Sequence, residues 1–264
     1  MDELNKINIS ISSWPGSGAT TLALILANLT KRKYINLGNV FRYLGENMGF
    51  SNEGISRPEF DNYIENIIGT TIDNFVDYKL LNDNNLIVEA DISVFRIGKH
   101  PKIFSIFLKA TKEERIKRVL SDNRDDAIIA LEKRDEILKQ KYYELWHVDF
   151  FDEEFIQKKY NMLFDNSNMA LNNEVKQIVL AFKEYLQYKS IPETYWTEIE
   201  SKIDYYVDLY NKKGKSYLNE LLEKENLGSN AKEIMLEITR QFPEDIETFS
   251  QSIKNLFLGI NKKS

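Results

Sequence analysis

Ile7-Asn8-Ile9-Ser10-Ile11-Ser12-Ser13-Trp14-Pro15-Gly16-Ser17-Gly18-Ala19-Thr20-Thr21-Leu22-Ala23-Leu24-Ile25-Leu26-Ala27-Asn28-Leu29 is the stretch that decides the architecture. Residues 7–12 alternate apolar and polar side chains, and the apolar ones are β-branched, so they read as a strand. Thr21 to Leu29 reads as a buried helix of good formers. Between them, Ser13 to Thr21 is a Gly-rich turn. A strand, such a turn and then a helix is the setting in which a phosphate-binding loop has physical meaning. Backbone N–H groups must curl around phosphate oxygens, which side chains would block and which asks for positive φ at Gly16 and Gly18. The helix N-terminus adds unpaired donors and a favourable dipole. Within this loop, Gly16, Ser17, Gly18, Ala19, Thr20 and Thr21 are the candidate phosphate contacts. Thr20 is placed to put its hydroxyl on magnesium, and Thr21 can reach a phosphate.

Measured against G-x-x-x-x-G-K-[ST], Ser13 stands at the first glycine and Ala19 at the lysine. That lysine ordinarily brings a point charge to the transferable phosphate. Loss of one preorganised electrostatic group costs about 3–4 kcal/mol of transition-state stabilisation.

Outward from the loop, strands and helices alternate. Tyr34-Ile35-Asn36 is a short strand, and Gly38 leads into a helix carrying Val40, Phe41 and Leu44. Ser56-Arg57-Pro58-Glu59 opens a long helix, with Pro58 in a favoured first-turn position, that continues through Phe75 and Val76. Leu86-Ile87-Val88 is the continuous apolar run of a central parallel strand, and Ile103 to Leu108 is another. Thr111-Lys112-Glu113-Glu114 has the pattern of a capping box. Asp125 to Leu145 is helical and charged, Met162-Leu163-Phe164 is the last strand, and Glu174 to Gln187 the closing helix. The pattern predicts an α/β fold with a parallel sheet covered on both faces over residues 1–188. Residues 189–264 carry only helical patterns, with breaks at Gly214, Gly228 and Pro243. There Ile203, Val207, Tyr210, Ile234 and Ile238 predict amphipathic helices that pack on the preceding domain or on a protein partner.

Composition narrows the function. The 264 residues carry a formal charge of -6 and a pI near 5.3, which argues against broad nucleic-acid binding. Cysteine is absent, which excludes disulfides, thiolate metal sites and thiol catalysis. The opening residues are polar, and no apolar run approaches the ~18–20 residues of a membrane span. A soluble cytoplasmic protein is the expectation. His100 and His147 do not stand at metal-ligand spacing. Tyr205, Tyr206, Tyr210 and Tyr217 fall at helical spacing that suits packing better than base stacking.

With the loop placed, the chain resembles cytidylate kinases of the archaeal-like type, in which the loop often reads GPPGSGTTT, with threonine at the lysine position. Asn36-Leu37-Gly38-Asn39-Val40-Phe41-Arg42 is similar to the family's S-x-G-x-x-F-R, which implies that Arg42 holds the acceptor phosphate. A guanidinium suits that role because it can grip two oxygens at once. Ile72-Asp73-Asn74-Phe75-Val76-Asp77 looks like I-D-x-x-[IL]-D. Its two aspartates share one helix face, as a solvated edge or as an acceptor contact.

Leu86-Ile87-Val88-Glu89-Ala90-Asp91 resembles [IV]-[LIV]-E-G-R. Glu89 matches, whereas Ala90 and Asp91 replace the glycine and the acceptor-contacting arginine. Ala110 to Arg118 is similar to A-P-x-E-x-R-x-x-R. Arg134-Asp135-Glu136 and Lys141 to Asp149 resemble R-E-x-S-E-x-x-R-Y-x-x-x-Y-G-x-D. The resemblance implies a helical lid over about residues 115–150 whose Arg115, Arg118, Arg134 and Lys141 close over the transferring group. Tyr160 to Ser167 is similar to Y-D-L-V-I-D-T-S. Taken together, it implies a P-loop phosphotransferase using ATP and Mg2+ on a small nucleotide acceptor such as CMP. The departures at Ser13, Ala19 and Asp91 support an alternative, a catalytically weakened nucleotide-binding protein acting through its C-terminal helices.

Overall fold

The computed structural model describes residues 2–47, 69–121, 127–187, 189, 191–228, 230–248 and 250–251. A single turn of helix, α1 (Asp2–Asn5), precedes β1 (Asn8–Ser13), which runs through the glycine loop into α2 (Ala19–Thr30). Next come β2 (Lys33–Asn36), α3 (Leu37–Asn47), α4 (Thr70–Asn82), β3 (Leu86–Glu89) and β4 (Ile103–Lys109). The chain continues through α5 (Lys112–Ser121), α6 (Ala127–Trp146), α7 (Glu153–Lys159), β5 (Met162–Asp165), α8 (Leu171–Tyr185), α9 (Glu193–Lys224) and α10 (Ala231–Gln241). The start of the long helix expected from Ser56, and residues 122–126 before α6, lie outside the described residues.

Five parallel strands form one sheet in the order β2-β3-β1-β4-β5. β1 is central, with Ile9 beside Ile87 on one side and Phe104 on the other. The expected Thr111 cap is present: Glu114 N–H donates to Thr111 Oγ1 at 3.3 Å. The sequence pattern did not anticipate α7. It starts at Asp152, whose carboxylate accepts from Phe155 N–H at 3.1 Å, a local cap in a segment too short to show helical periodicity.

Helices cover both faces. On one, α2, α8 and α9 bury Leu22, Ile25, Val175, Phe182, Trp196 and Ile203 against Ile9 and Ile11. On the other, α3, α4 and α10 bury Val40, Phe75, Ile234 and Ile238 against Val88 and Phe107. The helices after residue 190 therefore complete both layers. α9 breaks at Gly214, where φ is +77°, and Asn28 Nδ2 on α2 donates to the Leu218 carbonyl at 3.1 Å.

The chain then crosses the outer edge of β2. Tyr34 N–H donates to the Leu227 carbonyl at 2.8 Å, and Tyr34 bridges Gly228 in parallel. This covers backbone groups that an edge strand would otherwise leave open to pairing. On the far face, Lys79 is only 5% exposed and lies between Asp83 and Glu237, the latter at 2.7 Å. Thr71 donates to Asp245 at 2.8 Å. Ile203, Val207, Ile234 and Ile238 of the tail are thus buried on the chain's own domain.

Two consequences follow for stability. Ten of the twelve residues of α2 are buried, so a chain ending at residue 188 would uncover apolar surface that α9 now covers. Such a truncation is expected to lose cooperative unfolding in urea, followed by circular dichroism. In the full chain, Ile203→Ala at a 0%-exposed position is expected to cost about 2–5 kcal/mol in the same titration.

Candidate phosphate-loop site

β1 ends in the middle of the sheet between β3 and β4, where connections leave in opposite directions. Crevices at such switch points, at the carboxyl ends of strands, are where open α/β sheets bind ligands. The loop that follows has Gly16 at φ +80° and Gly18 at φ +96°. Glycine is required twice over at position 16. A Cβ there would lie 3.1 Å from Val119 Cγ2 and 3.3 Å from the Arg115 carbonyl oxygen. Gly18 caps α2 without a side-chain hydrogen bond. The first-turn N–H groups of α2, which no helical carbonyl can satisfy, are therefore not taken by a side-chain cap.

The outside of the loop is braced by two arginines. Arg115, 4% exposed, donates to the Pro15 carbonyl at 3.0 Å and grips Asp135 through two bonds of 2.9 and 2.7 Å. Its guanidinium also faces the Trp14 and Phe151 rings. Arg118 donates to the Ser17 carbonyl at 3.0 Å and to both the side chain and the backbone carbonyl of Asn166 at 2.8 Å. Asn166 Nδ2 in turn donates to the Ser17 carbonyl at 2.8 Å and to Glu174 at 3.1 Å. Burial pushes the Glu174 carboxyl up to about 7, against the opposing pull of Asn166 and the Arg118 charge.

The inner side of the site is built around Glu89 at the carboxyl end of β3. Thr20 Oγ1 donates to Glu89 Oε1 at 2.6 Å. The Tyr34 hydroxyl and Asn36 Nδ2, the latter at 2.9 Å, both donate to Oε2. Burial raises the Glu89 pKa above the usual carboxylate value, while the bonds from Thr20 and Tyr34 and the Arg42 charge hold it back. Asn36 Oδ1 accepts from Asn39 N–H at 3.0 Å, and the Arg42 guanidinium donates to Asn39 Oδ1.

No cluster of three or more His, Cys, Asp or Glu side chains able to hold a metal occurs among the described residues. A magnesium ion shared with substrate phosphates does not need one. It binds through one or two carboxylates and water. The hard oxygens of Thr20 and Glu89 beside the loop fit that requirement.

α6 reaches over the carboxyl ends of the strands. Arg134 Nη2 lies 3.1 Å from Asp91 Oδ1, so the acid at position 91 is answered by a cation on α6. The Lys141 ammonium lies 5.0 Å from the Tyr142 ring centroid. Tyr142 belongs to an aromatic group with Phe95, Trp146 and Phe150, and Phe150 in turn meets Phe107 of β4. Asp77 pairs with Arg96 at 2.6 Å, and its carboxyl is pushed up by burial more than that partner pulls it down. Asp73 sits one turn earlier on α4.

The structure thus brings together the loop, Thr20, Glu89 and Arg42, and separately Asp91 with Arg134. Arg115 and Arg118 point at loop carbonyls. Tyr34, Asn36, Asn166 and Glu174 are site residues that sequence reading did not single out. Tyr34 and Asn36 act on Glu89, and Asn166 on the Ser17 carbonyl, across more than fifty positions of chain, and no short motif encodes those contacts.

No family model matches the chain. It is 29% identical over 178 residues to a cytidylate kinase of Saccharolobus islandicus, covering 65% of this chain and 88% of that protein. A cytidylate kinase of Pyrobaculum calidifontis is 28% identical over 174 residues, covering 64% and 88%. Among solved structures, a shikimate kinase from Acinetobacter baumannii in complex with shikimate superposes with a TM-score of 0.45 at 14% identity, covering 72% of this chain and 99% of that one. The chain thus spans most of the length of both curated relatives.

Two measurements test the loop. Gly16→Ala is expected to abolish calorimetrically detectable ATP binding, because the new Cβ must displace Arg115 backbone at a residue whose φ is +80°. Glu174→Gln is expected to remove a pH dependence of stability. The folded-state pKa is raised, so the native protein binds the proton more tightly than the unfolded chain. Stability from this group is present below the unfolded value of 4.5 and is lost as pH rises toward about 7. The loss amounts to at most about 3 kcal/mol. Relative to Glu174→Gln, the parent Tm should fall between these pH values.

Proposed function

We propose that the chain is a nucleoside monophosphate kinase-like phosphotransferase that moves the ATP γ-phosphate to CMP, dCMP or a related small acceptor. The observation that carries this reading is the hydrogen bond from Thr20 to Glu89 at 2.6 Å, beside a left-handed glycine loop whose helix has no side-chain cap. Backbone N–H groups of Gly16 and of Gly18 to Thr21 would cradle the ATP phosphates, the Ser17 N–H being given to the Trp14 carbonyl at 3.1 Å. Thr20 and Glu89 would hold the Mg2+. Magnesium bound there would neutralise charge on the β- and γ-phosphate oxygens.

Arg42, exposed on α3, would grip the anionic end of the acceptor. Arg134 and Lys141 would close from α6, with Asp91 holding Arg134 until phosphate oxygens replace it. Arg115 and Arg118 would act on the transferring group through the loop they hold in shape. No strong general base is required, because an acceptor phosphate oxygen is already anionic.

One observation favours the weaker alternative, a nucleotide-binding protein with little transfer activity. Ala19 is buried and brings no cation to the loop. A steady-state assay with CMP, dCMP, UMP and AMP separates the two. Transfer above background with a pyrimidine monophosphate is the expected result, and ATP binding without transfer to any acceptor would establish the alternative. Arg42→Ala should raise KM for the acceptor about tenfold or more and leave KM for ATP near its parent value.

A further inference from the structure

Among the described residues, Glu89 is the carboxylate that hydrogen-bonds the first turn of the loop helix, and its geometry is set from β2. Its Oε2 accepts from both the Tyr34 hydroxyl and Asn36 Nδ2. Asn36 Nδ2 also donates to the Tyr34 oxygen at 2.8 Å, so the three groups form a closed triangle. Tyr34 is 3% exposed and Asn36 5% exposed, which removes water as a competing partner. With Oε2 occupied twice, the other oxygen, Oε1, is turned toward Thr20.

Asn36 has a second role at its other end. Its Oδ1 caps the first turn of α3 through Asn39 N–H, and Asn39 carries the hydrogen bond from Arg42. One amide side chain therefore ties the carboxylate beside the loop to the helix that presents Arg42. The register supports this, since Asn36 stands directly opposite Glu89 on the neighbouring strand.

Building on the nucleotide reading above, we infer that Tyr34 and Asn36 are positioning residues for magnesium. They hold Glu89 with one oxygen toward Thr20 and keep that carboxylate in fixed relation to α3. Partners that orient a metal-binding carboxylate in this way typically change metal affinity about 10–100-fold when removed.

The test is calorimetric titration of ATP with and without magnesium chloride, on the full chain. Tyr34→Phe keeps the buried ring and removes the hydroxyl. Asn36→Ser can still cap α3 and removes the amide donor. Each is expected to weaken ATP binding about tenfold in the presence of magnesium and to leave metal-free binding unchanged. In a Glu89→Ala background, Tyr34→Phe should have no further effect, because its action runs through that carboxylate. Variants that keep the parent magnesium dependence overturn the positioning role. So does a Tyr34→Phe effect of equal size in both backgrounds. A parent protein that binds ATP neither with nor without magnesium overturns the nucleotide reading and this one together.

Discussion

A phosphate cradle must leave its backbone donors open while its backbone acceptors are satisfied elsewhere. Here Arg115 on the Pro15 carbonyl and Arg118 with Asn166 on the Ser17 carbonyl meet that demand. Charged donors on carbonyls form stronger hydrogen bonds than neutral ones, and they fix which way each peptide faces. With the carbonyls drawn outward toward α5 and the turn after β5, the Gly16 and Gly18 peptides keep their left-handed conformations. The rest of the site depends on this: Thr20 meets Glu89 because α2 begins where the clamped loop puts it.

The same clamp couples the loop to other elements. Arg115 is locked to Asp135 on α6, and Arg118 to the Asn166–Glu174 pair at the start of α8. α6 is also joined to the turn after β3 through Arg134 and Asp91. Hydrogen bonds and ion pairs therefore tie the loop to both α6 and α8. The buried Glu174 within it is a titratable group near neutrality, supported by an amide rather than by a counter-ion in direct contact.

The C-terminal helices are part of the architecture. They cover α2, cross the β2 edge at Leu227 and Gly228, and place α10 beside α3 and α4. Arg42 and the Asp73–Asp77 stretch thus ride on helices that the tail supports from behind.

Much of this was legible in the residues. Alternation over Ile7–Ser12, glycines at 16 and 18 and apolar helix formers after Thr21 determined the strand, loop and helix. Backbone conformation and side-chain periodicity are local properties, and sequence records them directly. Sequence also placed Thr20 as a candidate through the loop pattern, and Glu89 and Arg42 through the resemblance to cytidylate kinase motifs. Tertiary structure alone decided what each charge meets. It turned Arg115 and Arg118 toward loop carbonyls, gave Asp91 a partner on α6, and made Tyr34 and Asn36 the supports of Glu89. It also laid Ile203 and Ile238 on the chain's own core. Those outcomes depend on contacts between residues dozens of positions apart, and such contacts exist only once the parallel sheet has ordered its strands.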